Sequence, residues 1–210
     1  MRKLGSVLQG FGLLLLMAAL ILAVWNIRAD NQAGQSAQQI LAELAMPVMQ
    51  DAAFREDPLN DPGRTMPEVR IPDHILDPDM DMPVKTVDGQ DYVGVIILHE
   101  LGLELPVMGD WDYAKLKKAP CHYFGSTYRD DMVIMAHNYR SQFGRIRRLK
   151  AGNRITFTDM DGNTFHYRVN AVEVLSSYEV EKVTNGEWDL TLFTCTLGGQ
   201  NRIVVRCERE

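Results

Sequence analysis

From Phe11 to Trp25 the chain carries no charged or strongly polar side chain, and widening the window to Val7–Ile27 admits only Gln9 and Asn26. A bilayer core about 30 Å thick is crossed by about 20 such residues in helix. Lipid offers the backbone no hydrogen-bond partner, and a helix satisfies its own. The run therefore predicts a transmembrane helix over residues 7–27. Arg2 and Lys3 stand on its short N-terminal side, and basic residues favour the cytoplasmic face. Residues 1–6 are thus expected in the cytoplasm, and all that follows the helix outside. A cleavable signal peptide is the competing reading. It would have a shorter apolar core ending in a small-x-small site, and Val24-Trp25-Asn26-Ile27-Arg28 supplies none.

Beyond the anchor the texture changes twice. Residues 28–50 read as a juxtamembrane helix: Ile40, Leu41 and Leu44 share one face, Ser36 is a candidate N-cap, and Pro47 sets the approximate end. Residues 51–88 interleave Pro58, Pro62, Pro67, Pro72, Pro78 and Pro83 with many Asp, which excludes a regular helix or central strand. This is a linker holding the following domain off the membrane, or a lid folded over it. From 89 to 210 the pattern is mainly β. Strands are expected at Tyr92–Leu98, Leu101–Val107, Met132–Ala136, Arg154–Thr158, Thr164–Leu175, Leu190–Thr194 and Arg202–Arg206. Asp161-Gly162-Asn163 marks a hairpin turn, and short helices fit Trp111–Lys117 and Phe143–Leu149. Many short strands with few helices argue a closed or nearly closed β-barrel.

Composition narrows the chemistry. With 46% hydrophobic residues in 210, one domain can bury a core without staples. The net charge of −6 lacks the basic face of a nucleic-acid binder, so no nucleic acid is expected as partner. Three cysteines, Cys121, Cys195 and Cys207, are an odd number with no Cys-x-x-Cys among them, so neither a zinc site nor a disulfide framework is indicated. No metal or cofactor is expected.

Cys195 ends the apolar strand Leu190–Thr194 beside a short loop containing Gly198 and Gly199, after which Arg202 opens the next strand. A thiol there is open to substrate, and the turn brings Arg202 near it. Alternation puts Arg202, Val204 and Arg206 on one face, with Arg206 the reserve candidate. His137 follows the apolar run Val133–Ala136, where a strand leaves the core. Cys beside His supports acyl transfer: thiolate attacks a carbonyl and imidazolium protonates the leaving amine. Unperturbed pKa values of about 8.5 and about 6.5 make the ready pair a small fraction without tuning. Arg stays protonated and can hold an oxyanion. Each residue alone is more simply a packed thiol, a structural His or a surface Arg, so spacing by itself gives a candidate thiol site.

The segment Thr191-Leu192-Phe193-Thr194-Cys195-Thr196, followed by Asn201-Arg202-Ile203-Val204-Val205, resembles the signature of sortases, and His137-Asn138-Tyr139 resembles the family's histidine motif. Phe143-Gly144 and the helix after it look most like the class B branch. The resemblance spans about Tyr92 to Arg206. Thr194 is either a substrate contact or a strand threonine that simply packs or pairs, and the resemblance implies a closed eight-stranded sortase-type β-barrel and a Cys195–His137–Arg202 site. It further implies cleavage of a C-terminal sorting signal of Leu-Pro-x-Thr-Gly type through a thioacyl enzyme. The acyl group then passes from surface proteins bearing that signal to an amine of a cell-wall precursor or pilin. A thiol endopeptidase releasing product to water, or a non-catalytic barrel that binds surface proteins, are the alternatives. Asp77-Pro78-Asp79 faintly resembles the lid of pilin-type sortases without its aromatic residue. Glu100, Glu104, Asp110 and Asp112 are either a calcium face, as in some sortases, or scattered surface charge. Cys121 and Cys207 are either a disulfide or two free thiols.

Overall fold

The computed structural model describes residues 2–53, 71–185 and 187–210, with side chains in the first segment described over 10–44. Helix α1 runs unbroken from Arg2 to Ala53. At 1.5 Å per residue that is about 78 Å. Within Gly10–Leu44 an 18-residue window has a mean hydropathy of 2.3 and none of it buried, so the helix is long and apolar enough to cross a membrane. The expected juxtamembrane helix is a continuation of this one. Ser36 lies in its interior rather than at an N-cap, and the helix passes Pro47 before ending at Ala53. A helix already propagating needs no second nucleus, so Ser36 meets no free N-terminus to cap.

The second half of α1 changes environment. Ala33, Ala37 and Leu44 are buried, Ile40 packs beside them, and their spacing of three and four places them on one helical face. Ala37 joins the main core and Leu44 joins a second cluster with Val87, Tyr92 and Met108. Lys85 Nζ donates to Leu44 O at 3.3 Å. The helix that carries the apolar run is thus docked on the domain it precedes.

Among the described residues nine strands follow: β1 (Lys85–Val87), β2 (Gln90–Leu98), β3 (Leu103–Met108), β4 (Cys121–Phe124), β5 (Met132–Met135), β6 (Arg154–Asp159), β7 (Thr164–Ser176), β8 (Leu190–Cys195) and β9 (Asn201–Arg209). They hydrogen-bond in the order β1-β2-β3-β4-β5-β8-β9-β7-β6, and β6 pairs back to β2. The ring from β2 to β6 is the closed eight-stranded barrel, with β1 a short addition on β2. All seven expected strands are found. β1 and β4 are additional, being three and four residues long with no clean alternation to announce them. β1 precedes the expected domain start at 89 and turns into β2 through Asp88 and Gly89, both at positive φ. The Asp161-Gly162 hairpin turn is present and braced by Asp159, whose carboxylate accepts the Asp161 and Asn163 N–H groups at 2.9 Å each.

Alternation sorts the strand residues into two clusters. Leu190 and Leu192 of β8, Met132 and Ile134 of β5, and Val205 and Cys207 of β9 point into the barrel. Phe193, Val133 and Val204 point outward, under Leu175 and Val183. The 3₁₀ turn Val180–Lys182 belongs to this covering segment. Residues 71–84, with the short helix α2 (Asp73–Leu76), pack elsewhere: the His74 ring stacks on Tyr128 at 4.6 Å, and Met80 and Met82 lie against the main core. Residues 54–70, the rest of the linker-or-lid segment, lie outside the described residues.

Candidate active site

Two ladders bring the sequence-predicted residues together. β5 and β8 run parallel with Met135 opposite Phe193, and beyond the ladder Ala136 N–H donates to Phe193 O at 3.1 Å. Continuing that register one step past Ala136 and Thr194 sets His137 beside Cys195. β8 and β9 run antiparallel, and Cys195 opposes Arg202 as their last pair. The connection closes at once: Thr196 N–H donates to Asn201 O at 2.9 Å, and Gly198 and Gly199 take φ of 89° and 74°, a conformation that favours glycine. Counted by alternation, Cys195, His137 and Arg202 all fall on the outer face of the barrel. All three line one cleft of about 230 Å³. Its apolar walls include Trp111, Leu116, Tyr123, Val180, Val183 and Phe193. Trp111 precedes α3 (Tyr113–Leu116), which supplies Leu116, and Tyr123 lies on β4.

Three contacts hold His137, two of them on its ring. The Asn138 N–H donates to Nδ1 at 3.0 Å, the Tyr139 ring stacks on it at 4.1 Å, and the backbone N–H of His137 donates to Gln142 Oε1 at 2.9 Å. With Nδ1 an acceptor, the proton of the neutral ring sits on Nε2. Burial lowers the His137 pKa below its usual value, and the nearby Lys117 charge lowers it further. Arg202 Nη1 donates to Gly199 O at 2.9 Å and Asn201 O at 3.2 Å, tying the guanidinium to its own loop.

Thr194 and Arg206 are both held by protein partners. Thr194 lines the cleft, but its Oγ1 donates to Ala136 O at 2.8 Å. That bond fastens the Cys195 strand to the His137 strand. Arg206, the reserve candidate, is 4% exposed and fully engaged: Nε to Glu173 Oε1 at 2.7 Å, Nη1 to Thr191 Oγ1 at 3.1 Å and Nη2 to Lys182 O at 2.5 Å. It pins the covering segment to the barrel and does not line the cleft.

Cys121 and Cys207 are free and buried, and they sit in separate clusters. Burial pushes the Cys121 thiol up to about 12 and raises that of Cys207 as well. Asp112 caps α3 by accepting the Ala114 and Lys115 N–H groups at 2.6 and 2.7 Å, Asp110 pairs with Lys115, and Glu100 accepts the Arg154 N–H. Those acids hold local structure. His122 bridges Gly109 O and Gly125 O, and His99 bonds Thr156, away from the cleft. Sequence reading missed the cleft walls and the partners of the His137 ring. Only the adjacency of Asn138 and Tyr139 to His137 hinted at the latter.

A family model described as the sortase domain matches residues 96–210. No curated protein matches the chain. Among solved structures the chain is similar to sortase A from Corynebacterium diphtheriae, with a TM-score of 0.51 and 23% identity over 58% of this chain and 61% of that one. It is similar to a Clostridium perfringens sortase D5 transpeptidase, with a TM-score of 0.51 and 21% identity over 60% of this chain and 82% of that one. It is also similar to sortase C from Clostridium perfringens SM101, with a TM-score of 0.50 and 26% identity over 57% of this chain and 70% of that one. The match thus spans under two thirds of the Corynebacterium chain's length, and none of these three carries the class B label that the region after His137 suggested. With the family model covering more than half of its length, this chain belongs to the sortase family.

Proposed function

We propose that the chain is a membrane-anchored cysteine transpeptidase. One observation carries the reading: the thiol of β8, the guanidinium of β9 and the imidazole just past the end of β5 line a single apolar-walled cleft. In the first step the Cys195 thiolate attacks the scissile carbonyl carbon. Arg202 donates to the developing oxyanion, which collapses to a thioester as the C–N bond breaks and imidazolium protonates the departing amine. In the second step an acceptor amine attacks the thioester, gives its proton to His137, and releases the thiolate. Burial favours the neutral form of the His137 ring, so the imidazolium that protonates the leaving amine is the disfavoured form of the free ring.

Family membership supports substrates that carry a C-terminal sorting signal of Leu-Pro-x-Thr-Gly type and an amine acceptor on a cell-wall precursor or pilin. The α1 apolar stretch supports a single-pass anchor, and Arg2 and Lys3 before it support residues 1–6 cytoplasmic and the barrel outside. The test incubates the full chain in detergent with a Leu-Pro-x-Thr-Gly peptide library and an amine acceptor, beside a Cys195→Ala control. Ligated product that vanishes in the control is the expected result. Cleavage without ligation in excess amine would favour the endopeptidase. No reaction with any peptide, together with no selective labelling of Cys195 by a thiol probe, would overturn the reading.

A further inference from the structure

The loop that follows His137 is gripped by a residue 110 positions before Arg140. Asp30 lies in α1, three residues past the end of the apolar run at Ile27. At 1.5 Å per residue that is about 5 Å along the helix axis. Its Oδ2 accepts the Arg140 N–H at 3.1 Å, its Oδ1 accepts the Ser141 N–H at 2.9 Å, and its carbonyl oxygen accepts the Ser141 hydroxyl at 3.0 Å. Two consecutive backbone N–H groups on one carboxylate are charge-assisted bonds with fixed geometry. One turn further along, Gly34 faces the same residue: a Cβ there would lie 3.2 Å from Ser141 Cβ. Ala33 and Ala37 are 2% exposed, so small side chains let α1 approach this closely.

The grip reaches the imidazole by a short path. Tyr139, immediately before Arg140, stacks on the His137 ring, and its carbonyl oxygen accepts the Gln142 and Gly144 N–H groups at 3.0 and 2.8 Å. Asn138, between them, supplies the N–H that holds Nδ1. A Cβ on Gly144 would come within 2.7 Å of Tyr139 O, so the turn has little slack. The contacts of Asp30 are to the Arg140 and Ser141 loop and not to the ring itself. Its effect is on where the ring is held.

We infer that α1 is part of the catalytic apparatus, and that Asp30 is a positioning residue that sets the His137 ring by clamping the Arg140 and Ser141 amides. This rests on the transpeptidase reading. Because the clamp follows the apolar run directly, docking of the barrel on its anchor and assembly of the site become one event.

The test uses the full chain in detergent, comparing wild type, Asp30→Ala and Asp30→Asn. In Asp30→Ala, kcat for amine ligation is expected to fall about tenfold with KM within twofold, because substrate walls are untouched. Asp30→Asn keeps an acceptor for the Ser141 N–H and is expected to recover part of the loss. Hydrogen exchange at the Asn138 and Ser141 amides is expected to speed up in Asp30→Ala while that of the β6–β7 hairpin is unchanged. Unchanged kcat in Asp30→Ala, or a loss matched by faster exchange throughout the barrel, would overturn the inference. Inactivity of the wild-type chain would count against the transpeptidase reading alone, and the exchange measurement would still decide the clamp.

Discussion

Each end of the β8–β9 ladder carries one cysteine and one arginine, and one end opens into the cleft while the other is buried. At one end Leu190 opposes Cys207 and Thr191 opposes Arg206; at the other Cys195 opposes Arg202. The residue types are the same, so the difference lies in address. Cys207 falls on the inward parity of β9, within the main core, and Cys195 falls on the outward parity of β8. Arg206 and Arg202 share the outward face, but the segment around Val180–Lys182 bonds the first, whereas the second lines the cleft alongside Val180 and Val183. Burial then gives the covered guanidinium three protein partners and raises the enclosed thiol's pKa. Among the described residues, Arg202 makes hydrogen bonds only from Nη1, to carbonyls of its own loop. Strand parity chooses which side chains face the cover, and the bonds the cover and its neighbours make choose which remain available.

The largest expected effect breaks the comparison at the open end. Cys195→Ala should lower ligation by at least about 10⁴-fold, since no other group can form the thioacyl bond. A thiol-directed alkylating probe under native conditions should modify Cys195 and spare Cys121 and Cys207. Labelling of either buried thiol at a comparable rate would mean that burial does not separate them.

Exchanging the two arginines for alanine should separate chemistry from scaffolding. Arg202→Ala should lower kcat about 10²- to 10³-fold, the usual range for losing an oxyanion donor, with an unchanged urea midpoint. Arg206→Ala should destabilise the fold by about 2–3 kcal/mol through its lost charge-assisted bonds. Its activity should fall only as far as the loosened Val180–Lys182 wall affects KM. An Arg206→Ala protein of full stability whose kcat collapses would reverse the two assignments.

How far the sequence discloses this depends on the range of each interaction. The cysteine, the arginine and the strands that bear them are legible because so short a connection leaves them no choice but to be neighbours. His137 is legible from its position after an apolar run and from the motif around it. The closed barrel follows from strand number and resemblance. What stays hidden is long-range. Nothing in the local pattern of Arg206 says that Glu173 and Lys182 O come to meet it, so alternation leaves both arginines eligible. Thr194 looks free because its acceptor, Ala136 O, is 58 residues away. The docked half of α1 reads as a separate helix because Ser36 and Pro47 carry local start and stop signals. Those signals yield to a helix already running and packed along Ala33, Ala37 and Leu44.

Shortening the chain to begin at Asp51, a natural cut on the linker reading, removes that packed face. It should bare the apolar surface around Val87, Tyr92 and Met108 that Leu44 and Ile40 cover. Each large apolar side chain uncovered costs about 1.5–3 kcal/mol of lost burial. The truncated barrel should therefore show a lower thermal midpoint and bind a hydrophobic dye, whereas a chain starting near Arg28 should do neither. Equal midpoints for the two would mean that the helix contributes nothing to the barrel.

The smallest expected effect is a slope. His137 stands at the open end of the ladder, yet burial keeps its ring pKa below the unfolded value near 6.5. Between about 6.5 and the depressed folded value, the unfolded chain holds a proton on this ring that the folded chain refuses. The stabilisation from keeping it neutral is therefore complete above about pH 6.5. It is lost as pH falls through that value, and the loss levels off below the folded pKa. One ring contributes at most about 1.36 kcal/mol per pH unit. The check is the urea midpoint from pH 7.5 to 5.0 for wild type and His137→Gln, whose side chain does not titrate. Wild type should lose stability more steeply than the variant over this window. Parallel slopes would show a ring as solvated as in the unfolded chain, and the contrast between the two ends of the ladder would then rest on the cysteines and arginines alone.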